Sequence, residues 1–575
     1  MKKLATLFLP FLLVLTAACG KEEHRFEAPL AVETSLAEHS NEFKREVIEV
    51  TDGVHVAVGF GLANSILLEG DDGVVIVDTM ESVDEANAVL AEFRKITDKP
   101  VRAIIFTHNH ADHILGSKAF ADPEDVAAGR VDVYAHDSTT HYIDRIFTVV
   151  RPIITVRSMR MFGNYLDEEG LVNAGIGPFL GVNDESTLGL LRPTKTFRDD
   201  LSIEVAGLRL ELSHAPGETN DQLFVWLPDK KVLLPGDNLY RTFPNLYTIR
   251  GTPYRDVVSW FESLDRMRDL QPEFLVPSHT RPISGAENVE ATLRDYRDAI
   301  QFVHDQTIRW MNKGLTPGEI AEKVQLPPHL TASPFLREFY GKVEWSVRSV
   351  FTGYLGWFDG DPATLHPLAP QDKAERMARL AGGYDALFKE AEEAAAADDP
   401  RWALELTSYL RRLNDTDAAV NRLRFDLLKA LGEAETNPNA RHYYLTTALE
   451  LRDGFSILDD LPVHEEMVHE VPLKAIFQGL AVRLDPEKSA DVDQKVAFLF
   501  PDAGEAYTVH VRRGVAEVRD RDTGAEMRVT VDANVWKEVA AGLRSPAVAF
   551  AKGEIKVDGG TLDLVGFLGL FERDQ

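Results

Sequence analysis

A mixed α/β fold, with two packed β-sheets between layers of helix, is what this sequence predicts, and three observations predict it. Short apolar runs rich in β-branched residues recur at 54–58, 65–68, 74–78, 101–106, 232–234 and 274–276, as buried strands do. Residues 82–96 carry helical periodicity between two of those runs. The side chains best suited to chemistry cluster where the runs end. Strand and helix alternating in this way fit an αββα sandwich with its functional groups along one rim.

From the N terminus, Met1-Lys2-Lys3 is a basic start, and 4–15 is an apolar stretch of signal-peptide length, too short to span a bilayer. It ends Leu15-Thr16-Ala17-Ala18-Cys19, where small residues before Cys resemble a bacterial lipobox, with Thr16 where Leu is more usual. Cys19 is the only cysteine, so no intrachain disulfide forms, which fits lipidation; secretion with Cys19 as a bystander is the alternative. Residues 1–18 are expected as a leader and 19–46 as a polar tether with an early helix. The stretch 120–200 reads as a long insertion with few periodic signals. Residues 374–452 are strongly helical, with Ala, Leu and Glu dominant and a break at Asn437-Pro438-Asn439. Beyond 473, strands at 496–500, 506–511, 515–519 and 527–531 precede helices at 533–543 and 562–571.

The densest chemistry follows the 101–106 run, in Thr107-His108-Asn109-His110-Ala111-Asp112-His113. Imidazole and carboxylate suit Zn²⁺. Alternate residues of an extended segment point the same way, so this spacing can divide its ligands between two metals. A polar surface loop is the bland alternative.

The segment THNHADH resembles the HxHxDH signature of the metallo-β-lactamase superfamily of zinc hydrolases. Four further motifs resemble that superfamily's, in order: a strand ending in Asp78; Ser213-His214-Ala215-Pro216-Gly217-Glu218, with Glu218 where His is usual; a strand leading to Asp237; and Pro277-Ser278-His279 after a strand. Glu at the third motif is similar to the alkylsulfatase branch, whose members hydrolyse alkyl sulfate esters. Asn245-Leu246-Tyr247-Thr248-Ile249-Arg250-Gly251 looks like that branch's NLYTLRG segment, residues 353–360 its YLGWFDG and 443–452 its yLTGAxELR. The resemblance covers nearly all of the chain after the leader. Two places depart from it. Asp237 stands where Glu usually bridges the metals, and Arg241 and Pro244 stand where the family tends to carry His.

The resemblance implies a catalytic domain over 47–323, a helical dimerisation domain over 324–455 and an α+β domain of sterol-carrier-protein type over 456–575. It implies two Zn²⁺ per chain: His108, His110 and Glu218 on the first, Asp112, His113 and His279 on the second, and Asp237 bridging, with Asp112 and Asp237 the carboxylates closest to the chemistry. A few protein ligands per metal leave each zinc an open position for activating water. Asp78 would orient the metal loop; His214 would be structural or act on the ligands' partners; Asp221 and Asp229 would be solvated turn residues. Arg250 is the expected sulfate clamp, because a guanidinium fork matches a tetrahedral oxyanion; a surface ion pair with Asp256 or Glu262 is the alternative. Asn245, Tyr247 and Tyr240 are candidate polar contacts. Ile176, Pro178, Phe179 and Leu180 could cradle the alkyl chain or form local core.

The 575 residues, 44% apolar and 27% charged, exceed what one core holds. A formal net charge of −30 argues against a nucleic-acid partner, since phosphate binding needs a basic face, and requires any sulfate site to be locally positive. With the resemblance and the leader, the expected protein is an alkyl sulfate hydrolase of the bacterial periplasm or envelope, homodimeric and held to the membrane only by a lipid. A lactonase- or amidase-like hydrolase of the same fold and a non-catalytic lipid-binding lipoprotein are the alternatives.

Overall fold

Two sheets stacked face to face form the centre of the N-terminal half in the computed structural model, which describes residues 35–461 and 463–572. The first has seven strands in sequential order: β1 (Glu46–Thr51), β2 (Val54–Val58), β3 (Ser65–Glu69), β4 (Val74–Val77), β5 (Val101–Ile105), β6 (Asp132–His136) and β7 (Lys195–Phe197). It is antiparallel as far as β4 and parallel from β4 to β7. The second comprises β8 (Asp200–Val205), β9 (Leu208–His214), β10 (Leu223–Leu227), β11 (Val232–Leu234), β12 (Phe274–Leu275) and β13 (Ile283–Ser284), again in sequential order.

Period-two burial explains the stacking. Ile48, Val56, Ile66, Val75 and Ile105 of the first sheet meet Leu210, Leu212, Val225 and Leu234 of the second in one apolar layer. The opposite face of the first sheet is covered by the helix Val83–Phe93 through Ala86, Val89 and Phe93. The opposite face of the second is covered by Val257–Asp269 and Ala286–Met311, with Trp260, Leu264, Leu293 and Tyr296 inside. These are the four layers expected. The apolar cluster on the second face runs past the expected boundary at 323: Val324, Phe335, Val347 and Phe351 belong to it.

The stretch expected as a tether is, from 36 to 43, part of the folded body. Leu36 and Phe43 are buried, and His39 Nε2 lies 2.7 Å from the Gly175 carbonyl with its ring stacked on Phe339. Its high charge concealed four inward-facing residues. The 120–200 insertion is also more ordered than its weak periodicity suggested. It supplies β6 and a helical hairpin, Thr139–Phe147 and Arg151–Phe162. The longer helix, RPIITVRSMRMF, intersperses Arg, Ser and Thr among its apolar residues, so no clean apolar stripe marks it in the sequence.

Five helices follow between Pro370 and Asp453, with Asn437 capping the last through Ala440 N. The C-terminal sheet has the order β16-β15-β14-β17-β18, built from β14 (Asp493–Phe500), β15 (Glu505–Arg512), β16 (Val515–Arg519), β17 (Met527–Val531) and β18 (Ile555–Asp558). Only β18 lacked a sequence signal. Among the described residues no helix is long and apolar enough to cross a membrane.

Gly116 ends the short helix that carries Asp112 and His113, and a Cβ there would run into the Thr79 carbonyl oxygen and lie 2.6 Å from that of Ser82. Gly116→Ala is therefore expected to destabilise by about 1–3 kcal/mol, as overpacking does, and to weaken metal retention. At Gly318, within Pro317–Lys323, an added Cβ meets nothing within 4 Å. Gly318→Ala is expected to be neutral or to stabilise by about 0.5–1 kcal/mol. Thermal melts and metal analysis of the two variants check the contrast.

Candidate metal centre

Every expected ligand lies just beyond the C-terminal end of a strand, so one rim of the sandwich gathers them. His108, His110, Asp112 and His113 follow β5, Glu218 follows β9, Asp237 follows β11 and His279 follows β12. They form two groups: His108, His110, Glu218 and Asp237, whose donor atoms lie within 4.8 Å of one another, and Asp112, His113 and His279, equally close. Asp237 Oδ2 joins the groups, lying 3.6 Å from His108 Nε2, 3.5 Å from His113 Nε2 and 3.1 Å from His279 Nε2. Asp112 Oδ2 is 3.4 Å from both His113 Nε2 and His279 Nε2.

Whether these residues fit metal ions can be read from buried atoms without hydrogen-bond partners. Glu218 Oε2, Asp237 Oδ1 and His113 Nε2 are three of them, all within the two groups. Leaving such donors and acceptors unpaired costs several kcal/mol in total, at about 1–3 each, unless something coordinates them. The other ring nitrogen of two histidines is already committed. His113 Nδ1 donates to Asp78 Oδ2 at 2.7 Å, and His279 Nδ1 donates to the Leu62 carbonyl at 2.8 Å. Each Nε2 is thereby left as the metal-facing lone pair. The donor set, imidazole and carboxylate, fits zinc.

The electrostatics are those of a cluster built around cations. Burial depresses the His108 and His110 imidazoles, with His113 adding to it at the first and Arg250 at the second. Burial opposes charge on His113 and His279, but the surrounding carboxylates, Asp237 first, outweigh it and raise both. Burial would also raise Asp112, yet the adjacent His113 holds it at about 2. Glu218 is pushed up to about 8, chiefly by burial, although Arg255 pulls the other way.

Beside the metal groups lies a cleft. Its polar end holds His110, Glu218, Arg250 and Arg255, and its apolar wall holds Ile146, Val150, Ile154 and Tyr254. Arg250 lines the cleft, with Nη2 2.8 Å from His110 Nε2, and no ion pair joins it to Asp256 or Glu262. Asn245, Tyr247 and Tyr240 do not line the cleft. Tyr240 is buried beneath it, where its hydroxyl accepts from Asn245 N at 2.9 Å. Arg241 pairs with Glu42 at 2.9 Å, away from the cleft. Ile176 packs in a separate core with Leu62, Met161 and Phe162, and the 176–180 stretch contributes nothing to the wall; the hairpin does instead.

One other expectation, that for Asp221, needs correction. Asp221 is buried rather than solvated. It accepts from Asn109 Nδ2 at 2.5 Å and so fixes the middle of the metal loop. His214 is structural: its ring stacks on His136 at 3.9 Å and its Nε2 lies 2.8 Å from the Asn220 carbonyl.

Sequence reasoning passed over Arg255 and Glu81. Arg255 is 2% exposed, donates through Nη1 to Glu218 Oε1 at 2.7 Å and to the Asn245 carbonyl, and keeps Nε and Nη2 without partners. The signal available was a second Arg five residues after Arg250. Glu81 is fully buried, and its Oε1 accepts from Leu62 N at 2.9 Å and Gly181 N at 2.8 Å, anchoring the residue whose carbonyl meets His279 Nδ1. Burial pushes it up to about 8.

The metallo-β-lactamase superfamily matches residues 58–279, alkyl sulfatase dimerisation 316–454 and alkyl sulfatase C-terminal 462–575. A linear primary-alkylsulfatase of Pseudomonas sp. is 42% identical over 523 residues, covering 88% of this chain and 98% of that protein. An (R)-specific secondary-alkylsulfatase of Pseudomonas sp. is 30% identical over 552 residues, covering 92% and 80%. The solved structure of the stereoselective inverting sec-alkylsulfatase Pisa1 from Pseudomonas sp. superposes with a TM-score of 0.86 at 28% identity, covering 93% of this chain and 86% of that one.

The perturbed groups make stability depend on pH in a definite direction. In the metal-free fold His113, His279, Glu81 and Glu218 all hold protons more tightly than in the unfolded chain. Stability from the two histidines is complete below their ordinary value of about 6.5 and is lost as pH rises through the folded values. The two buried carboxyls act in the same sense up to about 8. The melting temperature of chelator-stripped protein should therefore fall from pH 7 to 9. That of metal-loaded protein should fall less, because bound metal has already displaced the ligand protons. A metal-free melting temperature that rose over this range would contradict these assignments.

Proposed function

The chain belongs to the alkylsulfatase family of metallo-β-lactamase-fold enzymes, and we propose that it hydrolyses alkyl sulfate esters, R–O–SO₃⁻ with water, to the alcohol and inorganic sulfate at a two-zinc centre. The observation that carries this reading is the cleft itself: the half-buried Arg250 and the buried Arg255 lie at one end beside the candidate ligands His110 and Glu218, and an aliphatic wall leads away from them. That is the shape of a tetrahedral anion joined to a hydrocarbon chain.

His108, His110 and Glu218 would hold one zinc, Asp112, His113 and His279 the other, and Asp237 both. When bound, the pair would supply Lewis acidity and lower the pKa of water. The chain's own residues do the rest. Arg250 and Arg255 bind the sulfate oxygens through fork-like N–H donors, the free Nε and Nη2 of Arg255 among them. Arg255 also offsets the negative charge that Glu218 adds where the superfamily has His, and turns Oε1 away from the metal side. Ile146, Val150, Ile154 and Tyr254 exclude water from the chain of the ester. Burial already depresses the Arg250 guanidinium, so binding an anion there restores a counter-charge.

The dimerisation match over 316–454 supports a homodimer. We further propose that the mature protein is lipid-anchored at Cys19 in the bacterial envelope; this residue lies outside the described ones, and its support is the sequence alone.

Purified enzyme is expected to carry two zinc ions per chain and to release sulfate from alkyl sulfates but to leave lactones and β-lactams intact. Chelation should abolish sulfate release and Zn²⁺ should restore it. Arg250→Lys should raise KM about tenfold, the value of roughly one charged hydrogen bond, with metal content unchanged. Lactone turnover without sulfate release would displace this reading. Cys19→Ser should shift the protein from the membrane fraction to the soluble fraction of the cell; a wild type that is already fully soluble would favour plain secretion.

A further inference from the structure

The hairpin that walls the cleft, Thr139–Phe147 and Arg151–Phe162, sends Ile143 into the apolar cluster of the first sheet. Its outer side is held by the two downstream parts of the chain. On the first arm, Arg192 donates from Nη2 to Asp144 Oδ1 at 2.8 Å, and from Nε and Nη2 to the Glu470 carbonyl at 3.0 and 2.7 Å. Glu470 Oε1 also pairs with Lys118 at 2.8 Å. Met467, from the same C-terminal helix, is buried in the core cluster that contains Ile143. On the second arm, Arg160 makes a two-pronged pair with Glu450 of Pro438–Asp453, at 2.6 and 2.9 Å. Val156 and Met159 pack on Ile457.

The residues that face the cleft lie on these arms and the turn between them: Ile146 on the first, Val150 in the turn, Ile154 on the second. From this juxtaposition we infer that Arg192 and Arg160 are positioning residues for alkyl-chain length: through them the helical and C-terminal units set how closely the apolar wall stands to the substrate chain. Neither arginine lines the cleft, so neither touches substrate. Both are about a quarter exposed, and Arg192 sits where three segments meet, so loss of either fork frees an arm without emptying the core. The metal groups stand on strand ends that neither arginine contacts, which separates wall from chemistry. This inference rests on the alkylsulfatase reading.

The test uses the full-length, metal-loaded enzyme with hexyl, octyl, decyl and dodecyl sulfate. Arg192→Ala and Arg160→Ala should raise KM for dodecyl sulfate about tenfold, the value of one or two methylene contacts in an apolar pocket, and should change hexyl sulfate kinetics less than twofold, with kcat near wild type for both. Arg192→Lys, which keeps the charge and loses the fork, should fall between. Hydrogen exchange should quicken in 139–162 and stay unchanged at the metal rim. A loss of kcat/KM by one common factor at every chain length would overturn the inference, as would unchanged exchange in the hairpin. If wild type releases sulfate from none of these esters, the functional reading fails by itself, and the exchange measurement still decides whether the arginines hold the wall.

Discussion

The metal rim depends on one buried carboxylate that is not itself a ligand. Asp78 sits just after β4 with φ +59, a left-handed conformation that Asp tolerates better than most residues. From there it accepts hydrogen bonds from Thr107 N and Oγ1, Ser278 Oγ and His113 Nδ1, all between 2.7 and 2.9 Å. Those four donors belong to the loop after β5 and the loop after β12, one from each sheet. A single side chain thus sets the distance between the HxHxDH loop and the last histidine, and fixes which nitrogen of His113 faces inward. Sheet stacking brings the loops near each other; Asp78 fixes their separation.

Charge balance explains Glu218, a departure from the wider superfamily, and reach explains Asp237, a departure from the alkylsulfatase pattern. Glu218 brings a carboxylate where an imidazole is usual, and Arg255 beside it, equally buried, cancels that charge within 2.7 Å. Asn238 holds the Glu218 backbone through its Oδ1 and the Ala215 carbonyl through its Nδ2, and Trp260 Nε1 in turn donates to the Asn238 carbonyl. The second departure is Asp237, one methylene shorter than Glu. The turn carrying it begins at Gly236, φ +59, where a Cβ would strike the Gln222 amide and lie 3.0 Å from Thr107. Without that Cβ the backbone stands close enough to the ligands that the shorter acid reaches three histidine nitrogens within 3.6 Å.

The parts of this arrangement legible in the sequence are those with local signatures. The β-branched runs marked β2 to β5, and the dense HxHxDH loop and the strand-end Asp and His marked the ligands, because strand ends must aim their side chains at one rim. Arg255, Glu81 and Asp221 were not legible. Each acts through a partner far away in sequence, at Glu218, Leu62 and Asn109, and nothing local distinguishes a buried charge from a solvated one. The apolar wall was sought at 176–180 because those residues are apolar and lie in a loop. Ile176 and Leu180 instead pack in a core shared with Tyr240 and Tyr340 and Phe179 is exposed, while the true wall lay on two helices of 9 and 12 residues inside the insertion.

The same contrast accounts for how the molecule divides its work. An anion must be bound by a chain carrying −30 formal charges, so its site has to be local and shielded. Burial achieves this: exposed charges farther than about 8–10 Å are screened at physiological salt, whereas Arg250 and Arg255 act at contact in a water-poor cleft. A rigid rim suits that task, because fixed donors cost no reorganisation when charge develops. A hydrocarbon chain demands the opposite, a surface whose distance can be set without moving the donors. The structure meets both demands by taking the candidate metal ligands from strand ends, the two guanidiniums from the loop before Val257–Asp269, and most of the apolar wall from an inserted hairpin. Because that hairpin leans on the helical and C-terminal units, sequence changes there can reshape the wall while the ligand geometry stays as Asp78 leaves it.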